Sequence, residues 1–497
     1  MFARRSRKQC THKMFSLLRQ SSPARLAIFL LFAITCYRLW FITRIEMVPD
    51  EAFYWLWSKH LALSYRDKGP LIGWTIALGT WLFGPTVFGI RIFAVILGTG
   101  TGWLMYLLAR RLYDERTGLW CLVVAGVIPM VAVGSILMTI DALSVFCWAW
   151  GVLVFWNCLQ RDRLSDWFWL GLAIGLGFLA KFTNGVQLGC VAFFLLWSKE
   201  HRSLLFTRKT LLMGATFAVS ILPVIVWNFQ TGWVHAMALH SRSGVTNTFG
   251  IHPLQLLRFL GEQFGVISPL IMLGMVVAAI GLLRARHTDL RVRFLLSQYL
   301  PVYALFMFFS LNSAGKPNWT APVLVTGVLF TVVYWRTVVQ QRPVWRFGVG
   351  AALGLALVIT ILAHDTDYLH LPRGRDPLRR AKGWTDFATH VQQAREEGRA
   401  NVLIGDHYSQ ASMMAFYLPD QPTTYLLPEP YGATQFTLWP TYAVRPDTRA
   451  LFVTTSTNAL PPELAAQFDH VKLMEDFWSK HQGREMTEFR IYLCTHS

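Results

Sequence analysis

Charge is the scarce commodity in this 497-residue chain: Asp, Glu, Lys and Arg make up 15% of it. Soluble globular domains carry about 25%, so that class is excluded. Acidic residues are the scarcer kind, 28 against 46 basic ones, which leaves a net charge of +18. That excess does not mark a nucleic-acid binder, because the basic residues form no domain of their own. They gather instead at one side of each apolar run. Zinc-type cysteine spacing is also missing. Of the seven cysteines, Cys36, Cys121, Cys147, Cys158 and Cys190 lie in or beside apolar runs, as small hydrophobes do. Cys10 and Cys494 are expected on opposite sides of a membrane, which excludes a disulfide between them. Internal repeats and low-complexity segments are absent too.

What the chain has in quantity is apolar sequence. It is 54% hydrophobic, with a mean hydropathy of +0.37, 21 Trp and 35 Phe. The runs are unbroken rather than alternating, as a bilayer requires. About eleven have the ~20-residue length of a span: 24–43, 87–109, 117–135, 140–159, 166–180, 184–198, 210–228, 255–283, 293–311, 320–336 and 346–363. The two runs flanking Lys181 are short and read equally as a re-entrant hairpin. The positive-inside rule places the basic N-terminus (1–23) and the Arg/Lys-rich loops in the cytoplasm. The first run lacks a small-residue cleavage site and reads as a retained signal anchor. Loops 44–86, 136–139, 181–183, 229–254 and 312–319 then face outward, as does the tail. That tail, 364–497, mixes strand-like runs such as Ala450 to Thr454 with helix-like Trp384 to Glu397. It predicts one small extracytoplasmic α/β domain after an all-α polytopic membrane domain, 24–363.

The first outer loop carries the chemistry. Pro49-Asp50-Glu51 is followed by the aromatic run Phe53-Tyr54-Trp55-Leu56-Trp57, then by Tyr65-Arg66-Asp67-Lys68-Gly69-Pro70 and the apolar stretch Ile72 to Phe83. Both apolar stretches predict amphipathic helices lying on the membrane surface. Charges this close to a bilayer are costly unless they bind something. Asp50 and Glu51 also suit the N-terminus of the helix after Pro49, and the two roles can coexist. Lys181, at the outer end of an apolar run, reads either as a ligand or as a snorkelling cation. Asp141 is expected to cap the helix it begins.

These residues resemble the type C glycosyltransferases, in particular the bacterial branch related to protein O-mannosyltransferases and the lipid A aminoarabinose transferase. Asp50-Glu51 and Asp67-Lys68-Gly69-Pro70 are similar to that family's first loop. Leu179-Ala180-Lys181-Phe182-Thr183, Trp227-Asn228-Phe229-Gln230-Thr231-Gly232-Trp233 and Lys316-Pro317-Asn318-Trp319-Thr320-Ala321-Pro322 agree in order along the membrane portion. Phe53, where that branch can carry a basic residue, and the single proline of Asp67-Lys68-Gly69-Pro70 depart from it.

The resemblance implies a type C fold and transfer of a sugar from a polyprenyl-phosphate carrier to an acceptor outside the bacterial inner membrane. The acceptor is lipid A or core glycan, a surface polysaccharide or a protein hydroxyl. Asp50 matches the catalytic carboxylate, a general base for the incoming hydroxyl, with Glu51 beside it. Lys68 matches a donor-phosphate position, and Lys181, Arg66 and Lys316 are further cations for the departing phosphate. Tyr54, Asp141, Asn318 and Trp319 are expected to line the cavity. In some relatives an acidic residue at the Asp67 position and a loop His bind a divalent metal, and His240 occupies such a loop here, although a loop His more often faces solvent. No nucleic acid is implied, only membrane lipids, donor and acceptor. A flippase of lipid-linked sugars is the alternative; it predicts internal repeats and mid-membrane charges, and neither is found. The tail segment Asp406-His407-Tyr408-Ser409 reads as the turn after a strand, with its domain shaping acceptor access.

Overall fold

The computed structural model describes residues 22–161, 163–234, 250–285, 289–313, 315–372, 375–427, 434–455 and 460–496. The membrane portion begins with α1 (Pro23–Phe41), α2 (Pro49–Lys59), α3 (Leu71–Phe83) and α4 (Val87–Leu112). Next come α5 (Glu115–Gly126), α6 (Pro129–Gly134), α7 (Ile140–Arg161), α8 (Leu164–Ala180) and α9 (Val186–Trp197). Then follow α10 (Arg208–Ser220), α11 (Leu222–Gln230), α12 (Pro253–Ile267) and α13 (Pro269–Arg284). It ends with α14 (Leu290–Ser297), α15 (Leu300–Ser310), α16 (Leu324–Gln341) and α17 (Trp345–His364).

Among the described residues, six helices or helix runs are long and apolar enough to cross a membrane, or up to eight if each bent pair counts as one span. Three shorter apolar helices, Leu71–Phe83, Leu164–Ala180 and Phe182–Trp197, accompany them, and the expected count of eleven is not confirmed among the described residues. The run 255–283 is not one straight span: α12 and α13 meet at 111°. Ser268 sits between them with φ 91°, just before Pro269. A residue preceding proline is driven out of the helical region, so the helix stops there. The run 210–228 bends by 42° where Pro223 enters α11, and Pro129 divides the run 117–135 into α5 and α6. The two runs beside Lys181 are 17-residue and shorter helices.

The tail contains α18 (Trp384–Gly398), β1 (Val402–Gly405), α19 (Tyr408–Tyr417), β2 (Tyr425–Leu426), β3 (Arg449–Thr455), α20 (Pro462–Ala465), β4 (His470–His481) and β5 (Arg484–Thr495). Its five strands form one sheet in the order β2-β1-β3-β5-β4. The pairs β1–β2 and β1–β3 are parallel, and β3–β5 and β4–β5 antiparallel. Strand β3, five of its seven residues buried, is the centre of the sheet.

This sheet unit is not a separate bead. One buried cluster runs from Met47, Trp55 and Trp57 of the first loop to Phe387, Met413 and Phe489 of the tail. The Trp55 and Phe416 rings meet edge to face at 5.1 Å, and Phe53 stacks on Phe436 at 5.6 Å. Glu46 receives the backbone N–H groups of Trp384 and Thr385 at the start of α18, where a carboxylate is favoured. Met47 donates its N–H to the Tyr417 hydroxyl, and Arg66 its N–H to Gln435 Oε1. The first loop is thus clamped between the bundle and the tail.

Candidate active site

Helix α2 begins at Pro49, whose fixed φ suits the first turn, and carries Asp50 and Glu51 in that turn and Lys59 in the last. Adjacent residues on a helix point about 100° apart, so the acidic pair divides. Glu51 is completely buried against Arg91 of α4, with Nε–Oε1 2.8 Å and Nη2–Oε2 2.6 Å. It also accepts from the backbone N–H of Met138 and of Val48, the residue ahead of α2. Arg91 spends its remaining donors on the carbonyls of Ile42, Ile45 and Glu46. Every oxygen and nitrogen of this pair is used, and none faces a cavity. Glu51 was expected at the catalytic centre; it is instead the pin that locks α2 to α4.

Asp50 is half-buried and points the other way, toward the tail. Its Oδ1 accepts from the hydroxyl of Tyr408 at 3.0 Å. Tyr408 is the first residue of α19, immediately after the turn that follows β1. Of the turn expected at 406–409, only 406 and 407 form a bend; Tyr408 and Ser409 begin α19, which delivers a side chain to Asp50. Burial and the neighbouring Asp50 charge push the Tyr408 phenol up to about 12, while Arg380 pulls it back. It remains a proton donor at neutral pH. Arg380 and His407 join the same neighbourhood; burial holds His407 below its usual value. Tyr54, one turn along α2 from Asp50, lies within electrostatic reach of Asp50, Asp141, Tyr408 and Asp67. Burial first, and these carboxylates next, push it well above the usual tyrosine value.

A second group forms where the start of α7, the end of α8 and the segment before α16 meet. Lys181 Nζ contacts Asp141 Oδ1 at 2.7 Å and the Asn318 carbonyl at 3.1 Å. The Asn318 amide donates to Asp141 Oδ2 at 2.7 Å. Lys181 is 7% exposed, so it does not snorkel into water: it is paired. Asp141 does not cap its helix either. Its own N–H goes to Thr139 Oγ1, and its carboxylate is given to Lys181 and Asn318.

Gly69 connects this group to the first loop. A Cβ at Gly69 would stand 2.0 Å from the Leu179 carbonyl oxygen, so only glycine lets the 66–70 loop seat on the end of α8. The loop carries Arg66, Asp67 and Lys68, all half-buried. Lys316 is exposed, outside the Asp141–Lys181–Asn318 group. Trp319, expected in the cavity, packs on Phe306 at 5.4 Å and against the main helical core. His240 lies outside the described residues. Among the described residues no three His, Cys, Asp or Glu side chains gather as a metal site.

Beneath Asp141 and Asn318 an apolar cavity of about 450 Å³ extends between the helices, past Thr139 and Val145 to Leu122 and Val328. The site thus pairs the Asp141 carboxylate and the Lys181 ammonium at the helix ends with an apolar space leading into the bundle.

Sequence reasoning missed Arg91, Tyr408 and Arg380. Arg91 had a signal: a lone arginine near the outer end of an apolar run requires an internal partner.

Comparison with known proteins follows the same lines. Residues 67–227 match the family described as dolichyl-phosphate-mannose-protein mannosyltransferase. The fold is shared along most of the chain with a crystal structure of ArnT from Cupriavidus metallidurans bound to undecaprenyl phosphate. That likeness has a TM-score of 0.67 at 14% identity, over 94% of this chain and 97% of that one. The class the fold points to is therefore that of the type C membrane glycosyltransferases, which this chain resembles. Within that class it is 25% identical over 413 residues to a lipid A galacturonosyltransferase of Rhizobium johnstonii, across 79% of this chain and 83% of the relative. It is 32% identical over 236 residues to an undecaprenyl phosphate-alpha-4-amino-4-deoxy-L-arabinose arabinosyl transferase of Pseudomonas aeruginosa. That match spans 44% of this chain and 40% of the arabinosyl transferase.

Proposed function

We propose that this protein transfers a sugar from a polyprenyl-phosphate carrier to lipid A on the outer face of the bacterial inner membrane. Its N-terminus then lies in the cytoplasm and its tail outside. The observation that carries the proposal is the placement of Asp50: a half-buried carboxylate hydrogen-bonded to Tyr408, which shares its neighbour Tyr54 with Asp141, the residue that holds Lys181 and lines the apolar cavity. The acceptor class is supported by the relative that shares most of its length with this chain, a lipid A galacturonosyltransferase.

Displacing a phosphate from an anomeric carbon requires an acceptor hydroxyl that loses its proton as it attacks. Asp50 takes that proton, from the face of the sugar opposite the phosphate, so the anomeric configuration inverts. Negative charge grows on the departing lipid phosphate, and Lys68 and Lys181 stabilise it. Lys181 is already held by Asp141 and Asn318, so its ammonium is oriented before substrate arrives. The flippase alternative gains no support from the relatives.

The test is transfer of label from a polyprenyl-phosphate-sugar pool to lipid A by purified protein, native against Asp50→Asn. Transfer lost in the variant while donor binding persists is the expected result. Equal transfer by both removes Asp50 from the mechanism. Absence of transfer by the native protein, with tight donor binding, moves the reading toward another acceptor or a flippase.

A further inference from the structure

Arg38 has no place in the mechanism above and no counter-charge. It lies in the last turn of α1, yet its side chain is turned inward and is 7% exposed. Among the described residues it has neither an ion pair nor a side-chain hydrogen bond. A snorkelling arginine would reach outward to the headgroup region; this one lines the apolar cavity. Gly98 makes room for it, since a Cβ there would stand 3.2 Å from Arg38 Nη1 and 2.6 Å from the Ser135 Cβ. A buried lysine can shed its proton, but a guanidinium stays charged at any physiological pH. An uncompensated buried charge is strongly destabilising, so the cavity carries a standing demand for an anion.

The rest of the cavity describes the body of that anion. Its walls are apolar down to Leu122 and Val328, and the tail contributes Leu378 at one end. Asp141 and Asn318, which hold Lys181, line it as well. A small inorganic anion would leave the apolar volume of about 450 Å³ unfilled.

We propose that Arg38 heads a lipid-phosphate subsite: its guanidinium binds the phosphate of a bound lipid whose hydrocarbon fills the cavity between α1, α4, α5 and α16. The planar fork of arginine suits two phosphate oxygens at once. Two lipids share this chemistry, the polyprenyl-phosphate carrier and the phosphorylated acceptor, and the inference rests on the proposed function only for that pair.

The experiment follows thermal unfolding of the full-length protein in detergent with added polyprenyl monophosphate, phosphorylated lipid A or neutral polyprenol. The native protein is expected to gain Tm with a lipid phosphate and not with polyprenol, since only ligands of the folded state stabilise it. Arg38→Gln is expected to lose that gain, with an apparent Kd raised about tenfold or more. Its lipid-free Tm is expected to equal or exceed the native value, because a buried lone charge is gone. A lipid-free Tm lowered by several degrees, or an undiminished gain with lipid, overturns the inference. Gly134→Leu supplies a second arm: Gly134 lines the cavity with open space beside its Cβ position, so leucine fills it while Arg38 stays. It too is expected to lose the gain, and retention overturns the inference. A gain with polyprenyl phosphate alone assigns the carrier, and one with lipid A alone assigns the acceptor. Sugar transfer is not the readout, so failure of the Asp50 assignment and failure of this subsite are told apart.

Discussion

The hydroxyl of Tyr408 donates to Oδ1 of Asp50 across 3.0 Å, although 358 residues separate the two. One sits in the first loop of the membrane portion, the other at the start of a helix in the tail. The tail therefore helps to build the site rather than merely flanking it. The stack of Phe53 on Phe436 and the Glu46 contacts at α18 hold that arrangement in place.

Tyr408→Phe keeps the ring that packs on Phe53 at 4.9 Å and removes the hydroxyl, with its hydrogen bond to Asp50 and its interaction with Arg380. A hydrogen bond to a charged group is worth about 1.5–3 kcal/mol, so transfer is expected to slow about ten- to a hundredfold. Donor KM and Tm are expected to stay near native. A steady-state comparison of kcat and KM checks this, and unchanged kcat would refute it.

Glu51→Gln is expected to act through stability. Removing one member of a buried pair costs about 3–5 kcal/mol, and Arg91 would keep its charge with the partner gone. Lower Tm and lower yield are expected from Glu51→Gln and from Arg91→Met singly, with the double variant recovering part of the loss. Native Tm in Glu51→Gln, with activity abolished, would return Glu51 to the catalytic centre.

Gly69→Ala introduces a Cβ where the Leu179 carbonyl oxygen would stand 2.0 Å away. A backbone atom cannot rotate aside, so the loop carrying Lys68 must lift from the end of α8. Weaker donor binding and a lower Tm are expected. A variant with native donor affinity would show that the loop's seat on α8 does not position Lys68.

His407 gives an acid-side pH dependence. Burial lowers its folded-state value, with Arg380 lowering it further and Asp406 and Asp50 opposing. The folded form therefore binds the proton less well than the unfolded chain, whose imidazole titrates near ~6.5. Stability from this group is full above that value and is lost as pH falls below it. Tm measured from pH 7.5 downward should decline less steeply in His407→Gln than in the native protein; parallel curves would contradict this.

Much of the site's composition was legible in the residues. Asp141, Lys181 and Asn318 were each picked out at an outer helix end, and the structure brings all three within hydrogen-bond reach. The break at 268–269 was legible as well, as a proline inside an apolar run, but hydropathy averages across it. The Asp50-Glu51 pair was not separable, because spacing alone does not say which face of α2 meets Arg91. Trp319 shows the opposite failure: its position in a promising motif outweighed the ordinary preference of a tryptophan for a packed core.

By itself the sequence determined the material of this protein: apolar runs, basic loops between them, and a charged, aromatic first loop. Those are consequences of the bilayer as solvent, which acts on composition residue by residue. Tertiary structure alone decided which of two adjacent carboxylates is sealed and which is open. It also decided that a tyrosine from the tail completes the Asp50 site and that Arg38 faces a cavity instead of lipid. These depend on helix rotation and on contacts between segments hundreds of residues apart, and no local pattern encodes either.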